Sequence, residues 1–210
     1  MIVLYYFYPA CSLAAHICLE ESGLEFEARR VDLKDPEQAA AFKKINPKGT
    51  IPAITTNGQT LSENVAVMAY VADLAPQAKL IPTEPMARAQ CLSFLAWGAS
   101  TFHINFRMSF RPERFTTEAS MHDGIRGVGR ANYWKNLETL DERLASQDWI
   151  MGKDFTAADG YALRFYDWGR IGKFPVEDLK AFTAFKDRMI ARPAVRRVLE
   201  REGCPLVAVA

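Results

Sequence analysis

The chain has 210 residues, 49% of them hydrophobic and 24% charged, an ordinary globular composition that leaves open one large domain or two modest ones. A formal charge of +1 argues against nucleic acid or an anionic membrane as the main partner, since both need a concentrated basic surface. Residues 1–17 lack a basic segment and are interrupted by Pro9 and His16, and no later run approaches the ~18 apolar residues of a membrane span, so a cytoplasmic protein is expected.

In chain order, Ile2–Phe7 is a short apolar and aromatic run that reads as a strand buried on both faces. Ser12 offers a cap for a helix with an apolar face of Leu13, His16, Ile17 and Leu19, ended by Gly23. Phe26–Val31 alternates as a second strand, so the first thirty residues form a right-handed parallel crossover. Pro36–Ile45 is weakly helical. Ile51–Thr56 and Gln59–Leu61 flank Asn57-Gly58, a strong signal for a tight hairpin, and Ser62 is expected to cap a helix running to Leu74. After a linker over residues 75–82 the pattern turns wholly helical. One long helix is expected from Pro85 to Phe110, and a second from Thr116 to Leu144 with Gly124, Gly127 and Gly129 marking a kink or close contact. A capping-box-like start comes next at Thr156 to Asp159, with later helices at Val176–Ala191 and Pro193–Glu202. The expected fold is α/β plus all-α, with residues 1–76 a thioredoxin-like domain on a mixed four-stranded sheet and residues 84–210 a helical bundle domain.

Three features of the first domain carry chemistry. Cys11 lies between the first strand and the first helix, where unpaired N–H groups and the helix dipole lower a thiol; a buried structural cysteine is the competing reading. Ile51-Pro52 leads into a strand, and a cis bond there, although trans is the commoner form, would leave the Ile51 backbone open to a peptide-like ligand. Ser62-Glu63-Asn64 opens a helix whose N–H groups suit a carboxylate, with Glu63 available to an ammonium group; a plain capped helix explains the same residues. The four cysteines show neither a CxxC pair nor zinc-ligand spacing, so no metal is expected.

The segments YPACSLAAHICLEESG, NPKGTIPAI, LSENVAVMAYVAD and DWIMGKDFTAADGYA resemble the cytosolic glutathione transferases, most closely the bacterial beta class with its Ala-Cys-Ser-Leu start. The resemblance spans nearly the whole chain. It implies that Cys11 is similar to the beta-class cysteine that forms a mixed disulfide with glutathione, and that Ile51, before a cis Pro52, pairs with the cysteinyl backbone of the tripeptide. Glu63 and Asn64 would hold the γ-glutamyl ammonium and carboxylate, and Lys34 the glycine carboxylate. His103 resembles the beta-class histidine that approaches the sulfur from the second domain, and Ala96, Ser100, His103 and Arg107 share one helical face expected to line the cleft, with Ser100 a glutathione-binding candidate. Tyr6 and Ser12 lie near positions where other classes keep a residue that hydrogen-bonds the thiol. Asn64 and Ala96 depart from the family pattern, which usually has Ser or Gly at the first and, in close beta-class members, Asn at the second. The implied activity is conjugation of glutathione, as co-substrate, to small hydrophobic electrophiles near Phe7, Tyr8, Phe106 and Phe110, by a homodimer engaged in detoxification. Thiol–disulfide exchange at Cys11 and a non-catalytic scaffold are the alternatives.

Overall fold

The five residues of β1 (Ile2–Tyr6) are all buried, which demands cover on both faces and a place inside the sheet. The computed structural model, which describes residues 1–207, puts β1 there. It pairs in parallel with β2 (Phe26–Arg30) and antiparallel with β3 (Ala53–Thr56), which pairs antiparallel with β4 (Gln59–Ser62), for a strand order β2-β1-β3-β4. The hairpin turns at Asn57 and Gly58, both with positive φ, as its sequence predicts. The third strand begins at Ala53 rather than Ile51, after Pro52, which has no N–H for the ladder.

Alternation along β1 divides the core. Val3 and Tyr5 meet Phe42 of α2 (Pro36–Lys43) in a small cluster on one face. Ile2, Leu4 and Tyr6 face α1 (Ser12–Ser22) in a large cluster that continues into the helical half. Nine of the eleven α1 residues are buried, so this helix is a central layer rather than an amphipathic cover. Its N-cap is Cys11, which makes no side-chain cap bond; Ser12 lies one residue inside. Likewise Ser62 ends β4, and Glu63 is the N-cap of α3 (Asn64–Leu74).

The long helix expected from Pro85 is interrupted. α4 (Pro85–Trp97) passes through a wider π-helical segment, Gly98–Phe102, into α5 (His103–Phe110). α6 (His122–Leu144) starts six residues later than expected, behind a 3-10 turn at Ala119–Met121. Gly129 is the contact glycine of the three: a Cβ there would lie 2.6 Å from Met108 Cβ and 2.7 Å from Ser109 N, so α5 and α6 cross with nothing between them. Gly124 and Gly127 face open space. α7 (Ala157–Ile171), held at its start by the Thr156–Asp159 capping box, buries thirteen of its fifteen residues. α8 (Lys180–Ala191) begins after a 3-10 turn at Val176–Asp178, and α9 (Pro193–Glu202) returns to pack on α1. No helix among the described residues is long and apolar enough to cross a membrane.

Candidate functional site

Cys11 sits where β1 hands over to α1, and its thiol is buried. The helix start favours a thiolate, but desolvation is the larger effect and pushes the thiol up to about 11; Arg107, then Arg164, oppose the rise and Glu63 adds to it. The lowering expected from position alone is thereby corrected. At neutral pH Cys11 carries its proton, and Sγ–H points to the Ile51 carbonyl oxygen at 3.6 Å.

Two further segments converge on it. The Ile51–Pro52 bond is cis, and the Ile51 N–H has no hydrogen-bond partner among the described residues. Asn64, buried at the start of α3, donates from Nδ2 to the Cys11 carbonyl at 3.0 Å, while its Oδ1 is left without a partner among the described residues. The departure at Asn64 thus ties α3 to the Cys11 turn. Beside it, Glu63 adopts φ +76°, a left-handed backbone that a non-glycine residue rarely takes, and its exposed carboxylate pairs with Lys48 at 2.8 Å. Sequence reasoning missed Lys48, because a lysine in an Asn-Pro-Lys-Gly turn carries no sign of a partner fifteen residues on. Lys34 is exposed beyond β2 and has no ion pair among the described residues.

Tyr6 and Ser12 have partners of their own beside the site. Tyr6 lies on the α1 face of β1 with its ring 4.8 Å from His16, and Ser12 is buried with its hydroxyl bonded to the backbone N–H and C=O of Phe7. Neither hydroxyl is hydrogen-bonded to Cys11 among the described residues. Alternation of β1 decides the first, and the tight β1–α1 turn uses the second.

From the helical half, α5 brings His103 and Arg107, one turn apart, with Arg107 Nη2 3.5 Å from His103 Nε2. Burial, helped by the Arg107 charge, pushes His103 down to about 4, so the ring is neutral at physiological pH. It packs tilted against Trp168 at 4.7 Å, and Trp168 lies parallel to Phe106 at 4.5 Å while its Nε1–H donates to the Pro9 carbonyl at 2.7 Å. Trp168 therefore connects the α5 face to the loop that carries Cys11, although nothing in its local sequence marks it. The expected stripe divides at the π segment, because one wider turn rotates the residues beyond it about the helix axis. His103 and Arg107 are partly buried, whereas Ala96 and Ser100 are exposed. Of the expected electrophile wall, Phe106 and Phe110 pack together at 4.6 Å beside Trp168. Tyr8 belongs to the seam instead: its hydroxyl donates to Asp167 Oδ2 at 3.1 Å, and Asp167 is also the ion-pair partner of the fully buried Arg164. Phe7 lies under the Arg30 guanidinium at the outer edge.

A mixed four-stranded sheet that gathers a helix-start cysteine, a cis-proline strand entry and a second helix start beneath an all-helical half is the two-part architecture of glutathione-dependent transferases. Residues 10–74 match the family model of the glutathione S-transferase N-terminal domain, and residues 132–193 that of the C-terminal domain. The chain is 37% identical to glutathione S-transferase GstA of Escherichia coli O157:H7, over 95% of this chain and 98% of that protein. A sphingomonad glutathione S-transferase solved in complex with glutathione superposes with a TM-score of 0.85 at 34% identity, over 96% of this chain and 99% of the other. The bacterial beta class enzyme of Sphingomonas chungbukensis gives 0.85 at 32%, over 98% and 100%. The chain belongs to the glutathione S-transferase family.

Proposed function

We propose that this protein joins the sulfur of glutathione to small hydrophobic electrophiles. The glutathione thiol gives up its proton to solvent, the thiolate sulfur attacks the electrophilic carbon, a C–S bond forms and the leaving group departs with its electron pair. In this reading the Ile51 backbone pairs with the cysteinyl unit, the α3 start at Glu63 and Asn64 receives the γ-glutamyl end, Lys34 reaches the glycine carboxylate, and Phe106, Phe110 and Trp168 flank the electrophile. The observation that carries it is the state of Cys11. A buried thiol held up to about 11, with its S–H turned to the Ile51 carbonyl, is not a nucleophile at neutral pH, which favours glutathione's own sulfur as the attacking atom.

The rival chemistry makes the Cys11 thiolate attack a glutathione mixed disulfide, releasing the substrate thiol and leaving a Cys11–glutathione disulfide for a second glutathione to resolve. Measuring kcat/KM for chlorodinitrobenzene conjugation and for mixed-disulfide reduction, in wild type and Cys11→Ala, separates the two. Conjugation in the variant is expected to stay within about tenfold of wild type, a loss on the scale of one hydrogen bond. Its abolition would mean that Cys11 acts covalently. The same reading includes a homodimer, which sedimentation at micromolar concentration tests against the 23.6 kDa chain.

A further inference from the structure

The neutral His103 ring leaves the sulfur site without the charge a histidine is usually asked to supply. An unpaired cation lies one turn further along α5. Arg107 is partly buried, touches His103 Nε2 at 3.5 Å, and has no carboxylate within ion-pair distance among the described residues. Of the other cations near the site, Arg164 of α7 is paired with Asp167 in full burial and Lys48 with Glu63, while Lys34 is exposed beyond β2. Arg107 is linked to the Cys11 turn through His103, the Trp168 ring and its bond to Pro9, two residues before the cysteine.

We propose that Arg107, and not His103, provides the positive charge that faces the glutathione sulfur and keeps it ionised, an assignment that rests on the conjugation reading above. The groups acting on that position are Arg107 from α5, Arg164 and Tyr161 from α7, and Glu63 before α3; among them Arg107 gives the largest charge effect in favour of an anion at Cys11. The stacked Phe106 and Trp168 rings cover one side, so the attraction is less screened than at an open surface. His103 then orients the guanidinium through Nε2, acting as a positioning residue.

The test is the ultraviolet absorbance of the enzyme-bound glutathione thiolate against pH, in wild type, R107Q, R107K and H103Q, with kcat/KM for chlorodinitrobenzene on the same samples. In R107Q the bound thiol should titrate about one unit higher or more. Its kcat/KM should fall about tenfold at neutral pH, and the deficit should close as pH rises. R107K, which keeps the charge, should stay near wild type, and H103Q should move the titration less than R107Q. An unchanged thiolate titration in R107Q, a shift in R107K as large as in R107Q, or a larger shift in H103Q would overturn the assignment. Failure of the underlying reading looks different: wild type would bind glutathione as thiolate yet conjugate nothing, while the absorbance series would still rank the two residues.

Discussion

His103 takes a proton only near about 4 in the folded protein, because burial and the neighbouring Arg107 both disfavour its charged form. An unfolded chain protonates it near ~6.5. Above that pH both forms are neutral and the group is silent; as pH falls, the unfolded chain gains a proton that the native form refuses, and stability is lost down to the folded value. The loss approaches at most about 3 kcal/mol, and urea unfolding of wild type and H103Q at neutral pH and near pH 4.5 should show wild type losing more. Cys11 behaves in the opposite sense: its alkylation by iodoacetamide should be slow at neutral pH and keep rising toward the value of about 11, and a plateau near pH 8 would contradict the buried thiol. The meeting of Cys11, Ile51 and Asn64 is readable from sequence because each lies at an element boundary whose order the topology dictates. The directions of Tyr6 and Ser12 are not, since a one-residue change in register along β1 exchanges its faces. Arg107 is visible only as one member of a helical stripe, with no signal that its charge would be unpaired.

At the scale of elements, α6 offers a controlled comparison. Gly127→Ala adds a methyl into open space and removes a helix-interior glycine, so it should stabilise by about 0.5–1 kcal/mol. Gly129→Ala forces a carbon against Met108 and the α5 backbone and should destabilise by about 1–3 kcal/mol. Thermal melts of both variants check the opposite signs. The sequence shows three glycines of equal standing, and only the crossing partner, distant in the chain, distinguishes them. The π segment is hidden for a related reason. Apart from Gly98, residues 98–102 carry no helix-breaking signal, and the wider turn accompanies Gly98 packing against Tyr161 and Phe165 of α7, at 3.0–3.1 Å from where its Cβ would be. By contrast, the β-α-β start and the Asn57-Gly58 hairpin depend on neighbours within a few residues, and both are legible.

Across the whole molecule, the two halves are fastened by charges far apart in sequence. Arg192 grips Glu21 through Nε and Nη2 at 2.7 and 2.8 Å and lies over the Phe155 ring at 4.1 Å, while Arg197 and Arg201 both reach Glu20. Behind them His16 and Glu202 form a fully buried pair at 2.7 Å. Arg192→Ala removes a paired, partly buried guanidinium together with its packing, and should cost about 1–3 kcal/mol in chemical denaturation. Because α1 and α7 share one core, unfolding should stay a single transition in that variant. Two separate transitions would show that the halves are less dependent on each other than their packing indicates. None of these pairings can be read from the chain, where the Glu20-Glu21 doublet looks like an ordinary solvated helix face.

The near-total enclosure of α1 also has a consequence for how the protein is made. Its covering helices α7 and α9 end 149 and 180 residues after α1 does. At ordinary ribosomal speeds of ~5–20 residues per second, the nascent chain carries this helix uncovered for roughly ten to forty seconds. During that interval Leu13, Ile17 and Leu19 have only the sheet and α3 for shelter, so the emerging N-terminal segment exposes apolar surface of the kind that aggregates. A chain stopped at residue 80 should therefore pellet when expressed alone, and recovery of the same fragment in the soluble fraction would show that α1 finds cover without its late partners.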